Sequence, residues 1–369
     1  MANPLSIGMV GAGNISGEYL ETLSRIPNVR LAQVASRDVR HAQDAVAAFP
    51  TARASTLPEL YASDEVDLIL NLTTPGAHLE VSQAAIAAGK HLYGEKPLAM
   101  NTTEARSVLA AASAAGVRVG CAPDTVLGTG FQTARACVDG GQIGKPFAAT
   151  AFMTTPGHER WHPDPEFYYR PGGGPLLDMG PYYLTALGLL LGPVRHVLGR
   201  SVTPRRSRVI GSGPRAGIDF PVEVATHVTG ILEHRDGALS TMMMSFDVWQ
   251  SSLPRIEVYG SEGTLLVPDP GTFAVDVGVC RAGGRSWQTV PALGGYSGTG
   301  RGIGVADMAH AIATNTAHRA SAELAYHVLE VMESLLAAAD FGHGHSVTSS
   351  FERPGPVPVG APPELLSLT

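Results

Sequence analysis

LSIGMVGAGNISG, residues 5–17, runs from a short apolar stretch into a glycine turn and then into helix-forming sequence. Leu5 to Val10 reads as a buried strand, and Glu18 to Arg25 continues as a helix until Pro27 ends it. Gly11, Gly13 and Ser16 thus form G-x-G-x-x-S at a strand-to-helix junction. There Gly11 permits the tight turn, Gly13 lets backbone amides approach a pyrophosphate, and a small third residue lets helix pack closely on strand. The helix N-terminus then faces the anion, with Asn14 and Ile15 completing the cofactor-binding turn. Ser16 departs from the usual Gly or Ala, but it is nearly as small and Gly17 follows it. The competing reading is an ordinary glycine turn; the strand before it and the helix after it favour a dinucleotide.

Outward from this turn the pattern repeats. Val29 to Ala35 is a second strand candidate, followed by a helical stretch through Phe49, the buried-looking strand Asp67 to Leu72, and an alanine-rich helix from Ala77 to Ala88. HLYGEKP and VRVGC supply two further strand ends with a helix between them. Strands alternating with helices at this spacing predict an α/β fold with a doubly wound parallel sheet, whose ligands sit beyond the carboxyl ends of the strands. The second strand ends in Ser36-Arg37-Asp38, about 23 residues past the glycine turn. Ser36 and Arg37 are donors suited to a 2′-phosphate, which predicts NADP. Asp38, one place later, would suit the ribose hydroxyls of NAD, and Arg37 would then be a solvated charge lying on adenine.

A chain of 369 residues, 44% hydrophobic and 16% charged, has room for two domains with substantial cores. Its net charge of −7 comes without a long run of one sign, so neither a nucleic-acid stripe nor a cationic membrane face is expected. Cys121, Cys137 and Cys280 are too few and odd in number for a disulfide framework, and they suit a reducing compartment. The start MANPLSIGMVGAGN has no basic segment ahead of its apolar run, and nowhere do 18 apolar residues run together. The expectation is a cytoplasmic protein.

TTPGAHLEVSQAAIAAGKHLYGEKPLA at residues 73–99 and GGGPLLDMGPYY at 172–183 add, in order and spacing, to the glycine turn. Together they resemble the glucose–fructose oxidoreductase, inositol dehydrogenase and MocA family over most of the chain. The resemblance implies an N-terminal Rossmann domain, residues 1–122, and a C-terminal α+β domain, 123–369, built on a large, open, mostly antiparallel sheet with helices on one face. Strand patterns at Phe147–Thr154, Val222–Glu233, Ala238–Phe246 and Arg255–Tyr259 suit it, as do helices at Leu176–Leu191, Val305–Asn315 and Ala320–Asp340. The Met242 to Met244 run reads as strand core, and from Pro354 the tail is proline-rich and extended. A homodimer or homotetramer follows by the same analogy.

Family members move hydride between nicotinamide and a secondary alcohol of a sugar, cyclitol or related polyol. By resemblance, Lys96 is the catalytic lysine of E-K-P, Glu95 anchors the turn or the cofactor, and Thr73, Thr74, Pro75 and His78 line the cofactor side of the cleft. His78, one turn into a helix, would otherwise face solvent. Asp178 matches the family's Asp, for which the plain alternative is a helix cap before Pro181. Many members place a His four residues later as acid-base, where this chain has Tyr182. A free phenol with a pKa near 10 is a poor base, but a neighbouring ammonium favours its ionised form. Tyr183, or simple packing of Tyr182, competes with that role.

GHERWHPDP, residues 157–165, holds His158, Glu159 and His162 at the spacing of the zinc signature H-E-x-x-H. That signature works on a helix, whereas Pro156 and Gly157 before it and Pro163 and Pro165 after it predict a loop, so no metal site is expected. Lying between a strand and GGG, the loop reads instead as a sugar-binding element. His158, Glu159, Trp161, His162 and Tyr168 offer aromatic faces and polar groups, and His162 is a second candidate acid-base. The alternative is a structural loop with surface histidines. Asp124, after the sixth strand, either lines the cleft or caps a helix near Gly128. The expected function is an NAD(P)-dependent oxidoreductase of sugars or cyclitols; a non-catalytic NAD(P)-binding regulator is the alternative, and a metallopeptidase the remote one.

Overall fold

In a computed structural model of the chain, residues 4–359 and 361 are described. Residues 1–3, part of the stretch read for an export signal, and 360 and 362–369 of the tail lie outside the described residues. The first sheet has six parallel strands: β1 (Leu5–Val10), β2 (Val29–Ala35), β3 (Arg53–Ala54), β4 (Leu68–Asn71), β5 (His91–Gly94) and β6 (Val119–Cys121). Their spatial order, β3-β2-β1-β4-β5-β6, reverses direction between β1 and β4. That reversal opens a crevice beyond the strand ends, beside the glycine turn. Helices α1 (Ser16–Leu23), α2 (Val39–Val46), α3 (Leu57–Ala62), α4 (His78–Ala87) and α5 (Thr102–Ala115) connect the strands. Ile7, Met9, Leu68, Ile69 and Leu70 are fully buried, so the central strands read as apolar runs because both faces are covered.

Local signals set the helix ends. Asp38 caps α2 by accepting from the Arg40 amide, Thr56 and Glu59 form a capping box on α3, and Asn101 caps α5, which stops at left-handed Gly116. The two-residue edge strand β3 and the six-residue α3 were not anticipated, being too short for periodicity to register.

The second sheet has nine strands: β7 (Pro146–Thr154), β8 (Val194–Val202), β11 (His227–His234), β12 (Leu239–Ser245), β13 (Ile256–Gly260), β14 (Gly263–Val267), β15 (Val277–Arg281), β16 (Gln288–Val290) and β17 (His345–Ser346). β9 (Ser207–Val209) and β10 (Asp219–Pro221) form a separate hairpin. Only β7 and β12 pair in parallel within the large sheet. α6 (Thr129–Asp139), α7 (Pro175–Leu191) and α9 (Ala322–Phe341) pack on this sheet. The strand expected from Val222 begins only at His227. The amides of Val222 and Glu223 donate instead to the carbonyls of Arg206 and Tyr169, outside the sheet.

After the large sheet the chain returns to the first one. α8 (Ile303–Ala313) packs beside α1, and the Asn28 side-chain amide donates to the Ala306 carbonyl at 3.0 Å. Among the described residues no helix is long and apolar enough to cross a membrane.

Candidate active site

Gly11 has φ +97°, and a Cβ there would lie 2.8 Å from the Leu72 carbonyl carbon and oxygen, so only glycine lets β1 turn this close to the end of β4. Gly13 is exposed, and a Cβ on it would meet nothing within 4 Å. That open ground before the N-terminus of α1 is what a pyrophosphate requires. Ser16 Oγ donates to the Gly13 carbonyl at 2.7 Å, so the departure from Gly or Ala adds a bond that ties the turn down. Asn14 is exposed and Ile15 half-buried on the same turn. At the tip of β2, both oxygens of Asp38 are engaged by Arg40, at 3.0 and 2.7 Å, while Arg37 is exposed.

Along the next two strand ends, Thr73 is held by Asn71, whose Oδ1 accepts from its amide at 3.1 Å and from its hydroxyl at 2.6 Å; Thr74 and Pro75 are exposed. His78 does not face solvent. Its ring nitrogens lie 2.7 Å from the Pro97 carbonyl and 3.1 Å from the Thr73 carbonyl, stapling the turn after β4 to the turn after β5, and burial pushes its pKa down. Glu95 is buried as an anchor: it accepts from Tyr19 Oη at 2.7 Å and from the Lys96 amide at 3.0 Å.

Lys96 then projects across to α7. Its Nζ donates to the Asp178 carbonyl at 2.6 Å and to Asp178 Oδ1 at 2.9 Å, and lies 5.4 Å from the centre of the Tyr182 ring. α7 starts at Pro175 behind left-handed Gly174, so Asp178 lies inside its first turns and is no cap. Asp178 and Tyr182, four residues apart, share a helix face. Burial opposes charge on both partners, but each outweighs it for the other: the ammonium pKa is held above its ordinary value and the carboxyl below. Asp178 Oδ2 accepts from His158 Nε2 at 3.0 Å, and His158 packs against Trp161, Tyr168 and Phe246. Its Nδ1 is buried without a partner among the described residues.

Tyr182 is 4% exposed. Burial pushes its pKa up, against the pull of two cations, Lys96 and Arg301. Arg301 Nη1 donates to Tyr182 Oη at 3.0 Å and Nε to Glu18 Oε2 at 3.0 Å. Sequence reasoning missed Arg301; its one signal is its position as the single cation in the glycine-rich SGTGRGIG just ahead of α8.

The loop at 157–165 separates its residues. His158–Arg160 form one 3₁₀ turn, not a helix that would align His158 with His162. Glu159 does not reach the cleft: it is buried, with Oε1 accepting from Arg208 Nη1 at 2.8 Å and Oε2 from Tyr169 Oη. His162 is half-buried, its Nδ1 accepting from the Asp164 amide at 3.0 Å, so the histidine that meets Asp178 is His158. Trp161 stands 59% exposed at the loop surface. Among the described residues no three His, Cys, Asp or Glu side chains are grouped to hold a metal.

Asp124 is fully buried and does not line the cleft; Oδ2 accepts from the Gly302 and Gly304 amides at 2.8 and 3.0 Å, so it caps α8 and not the helix near Gly128. Desolvation raises its pKa from 3.8 to about 6. The folded chain therefore holds this proton through a range where the unfolded chain has lost it. Its contribution to stability is full below the unfolded pKa and is lost as pH rises through the folded one, an amount on the order of 3 kcal/mol. Denaturant midpoints for D124N should fall less between pH 4 and 7 than those of the wild type. Parallel curves would mean that this carboxyl keeps an ordinary pKa.

Two family models match the chain: an oxidoreductase family described as an NAD-binding Rossmann fold, over residues 5–122, and the GFO/IDH/MocA C-terminal domain, over 131–266. Among curated proteins, 1,5-anhydro-D-fructose reductase of Ensifer adhaerens is 27% identical over 270 residues, 70% of this chain and 74% of that protein. Myo-inositol 2-dehydrogenase of Thermotoga maritima is 25% identical over 267 residues, 71% and 75% of the two chains. Among solved structures, an NAD-binding oxidoreductase from Klebsiella pneumoniae superposes with a TM-score of 0.80 at 24% identity, covering 94% of this chain and all of that one. A levoglucosan dehydrogenase complexed with NADH and levoglucosan gives 0.80 at 19% identity with the same coverage.

Proposed function

The chain belongs to the GFO/IDH/MocA oxidoreductase family of NAD-binding Rossmann proteins, and on that premise we propose that it interconverts a secondary alcohol and ketone of a sugar, sugar derivative or cyclitol. The nicotinamide, when bound, supplies or accepts the hydride, and the chain's own residues hold the substrate and manage one proton. Lys96 stabilises negative charge developing on the substrate oxygen. Asp178 fixes the ammonium through Oδ1 and orients His158 through Oδ2, and Tyr182 gives the proton in reduction and takes it in oxidation. His158, Trp161 and Tyr168 form the sugar-facing wall. Residues 1–122 serve as the nucleotide domain in this reading, and 123–369 carry the substrate side.

The observation that carries it is the Lys96–Asp178 pair at 2.9 Å, just past the end of β5, with the ammonium 5.4 Å from the centre of the Tyr182 ring. The test is a panel of sugars, sugar ketones and inositols, each with NAD(H) and NADP(H), followed by absorbance at the nicotinamide band. Turnover with at least one substrate is expected. No turnover across the panel, with dinucleotide binding intact, would favour a non-catalytic regulator.

We read the preferred cofactor as NADP, with NAD as its competitor, because Arg40 occupies Asp38 while Ser36 and Arg37 stand at the β2 tip. R37A should weaken NADP binding about tenfold, the worth of one exposed charge-assisted contact, and leave NAD binding within about twofold. Equal losses for both would remove the 2′-phosphate reading. The uncovered face of the large sheet presents Leu198, Val202, Ile231 and Leu239, each 45–56% exposed, which supports burial in a homodimer or homotetramer. The three cysteines are free, in keeping with a reducing cytoplasm.

A further inference from the structure

We propose that Arg301 is the positioning residue that makes Tyr182 a competent proton carrier, by holding its phenolic oxygen and stabilising the phenolate. The inference rests on the reading of Tyr182 given above and deepens it. Arg301 comes from the segment leading into α8, far in sequence from every motif of the site. Its Nη1 donates to Tyr182 Oη at 3.0 Å while the guanidinium carbon lies 5.5 Å from the ring centre. Its Nε is fixed by Glu18 at 3.0 Å, so one end of the fork is anchored to α1 and the other aimed at the phenol.

This geometry decides where the phenol's own proton goes. An oxygen that accepts from a guanidinium keeps its O–H free, and with the Arg301 N–H and the ring carbon already fixed, that O–H points away from Arg301. In reduction the O–H proton passes to the substrate oxygen as the ketone becomes an alcohol, and the phenolate left behind is held by Arg301. In oxidation the substrate O–H breaks and its proton returns to the phenolate oxygen, re-forming the phenol O–H as the alcohol becomes a ketone. A phenolate in a site this buried is unfavourable without a fixed opposite charge. Lys96 cannot meet the whole need, because two of its three Nζ–H donors go to Asp178 and the third is left for the substrate oxygen.

The charged and titratable groups around the phenol are few. Lys96 and Glu95 face it from the turn after β5, Arg301 from the segment before α8, Asp178 from one turn back on α7, and Tyr168 from the loop before α7. Among the described residues Arg301 is the cation that bonds its oxygen directly.

The test reads Tyr182 directly in the full chain. Ultraviolet phenolate absorbance is titrated for the wild type and for Y182F, and the difference is the ionisation of Tyr182; the same difference is taken in the R301M background and the R301K background. We expect the Tyr182 titration to move up by about one pH unit or more in R301M and by less in R301K, which keeps the charge but loses the fork. A Tyr182 that titrates at the same pH with and without Arg301, or stays protonated up to the unfolding pH in both, overturns the proposal. Kinetics separate this failure from that of the underlying reading, with myo-inositol, levoglucosan and 1,5-anhydro-D-fructose as probe substrates. If Y182F abolishes turnover while the pH profile of R301M matches the wild type, Tyr182 stands as the proton carrier and Arg301 is merely structural. If Y182F turns over like the wild type, both fall.

Discussion

K96M should lower turnover by about a thousandfold or more while NADP(H) binding stays within a few fold of the wild type. The reason lies in how fully Lys96 is committed. Its ammonium makes two bonds to Asp178, stands under the Tyr182 ring, and is 16% exposed, so no water replaces it when the methionine fills its volume. The substrate oxygen then loses the cation that stabilises its developing charge. Asp178 loses the partner that holds its pKa down, which lets burial push the carboxyl toward protonation and frees His158. The glycine turn, the β2 tip and Glu95 are untouched, which is why binding persists. K96R should not restore the rate, because a planar fork does not reproduce a single point donor in an enclosed pocket. Turnover of K96M within tenfold of the wild type would remove Lys96 from the chemistry.

How far the sequence anticipated this site depends on the range of the interactions. Lys96, Asp178 and Tyr182 were singled out through the family resemblance, whereas the glycine turn was legible because it depends on local geometry, a strand running into a helix. β1 and β2 were placed to the residue for the same reason, being apolar runs closed by turns. What could not be read is where long-range contacts turn a polar side chain. Asp124 was assigned to the cleft or to the nearest helix, yet it caps a helix that starts 179 residues later in the chain, at Ile303. His162 was singled out as a second acid-base candidate, yet the 3₁₀ turn and the packing of Phe246, just after β12, send His158 toward Asp178. Glu159, chosen for sugar hydroxyls, is claimed by an arginine 49 residues away.

That arginine carries the largest expected effect on stability. Arg208 has 1% of its side chain exposed and bridges two carboxylates, Glu159 at 2.8 Å and Asp247 at 2.5 Å, while donating also to the Phe246 and Pro156 carbonyls. Tyr169 lies under the guanidinium and bonds Glu159, and Thr226 bonds Asp247 at 2.5 Å. Replacing Arg208 by Met keeps the bulk but leaves buried Glu159 without a cation and Asp247 with only the more distant, half-exposed Arg205, at 3.9 Å. Removing one partner of such a network costs about 3–5 kcal/mol, against near neutrality when all the charges go together. R208M should therefore unfold at a clearly lower urea concentration at pH 8. The triple variant R208M/E159Q/D247N should recover most of the loss. Because Glu159 and His158 are consecutive, the single variant should also loosen the His158–Asp178 bond and lower kcat more than it changes dinucleotide binding. An R208M chain as stable as the wild type would show that this network does not hold the wall of the site together.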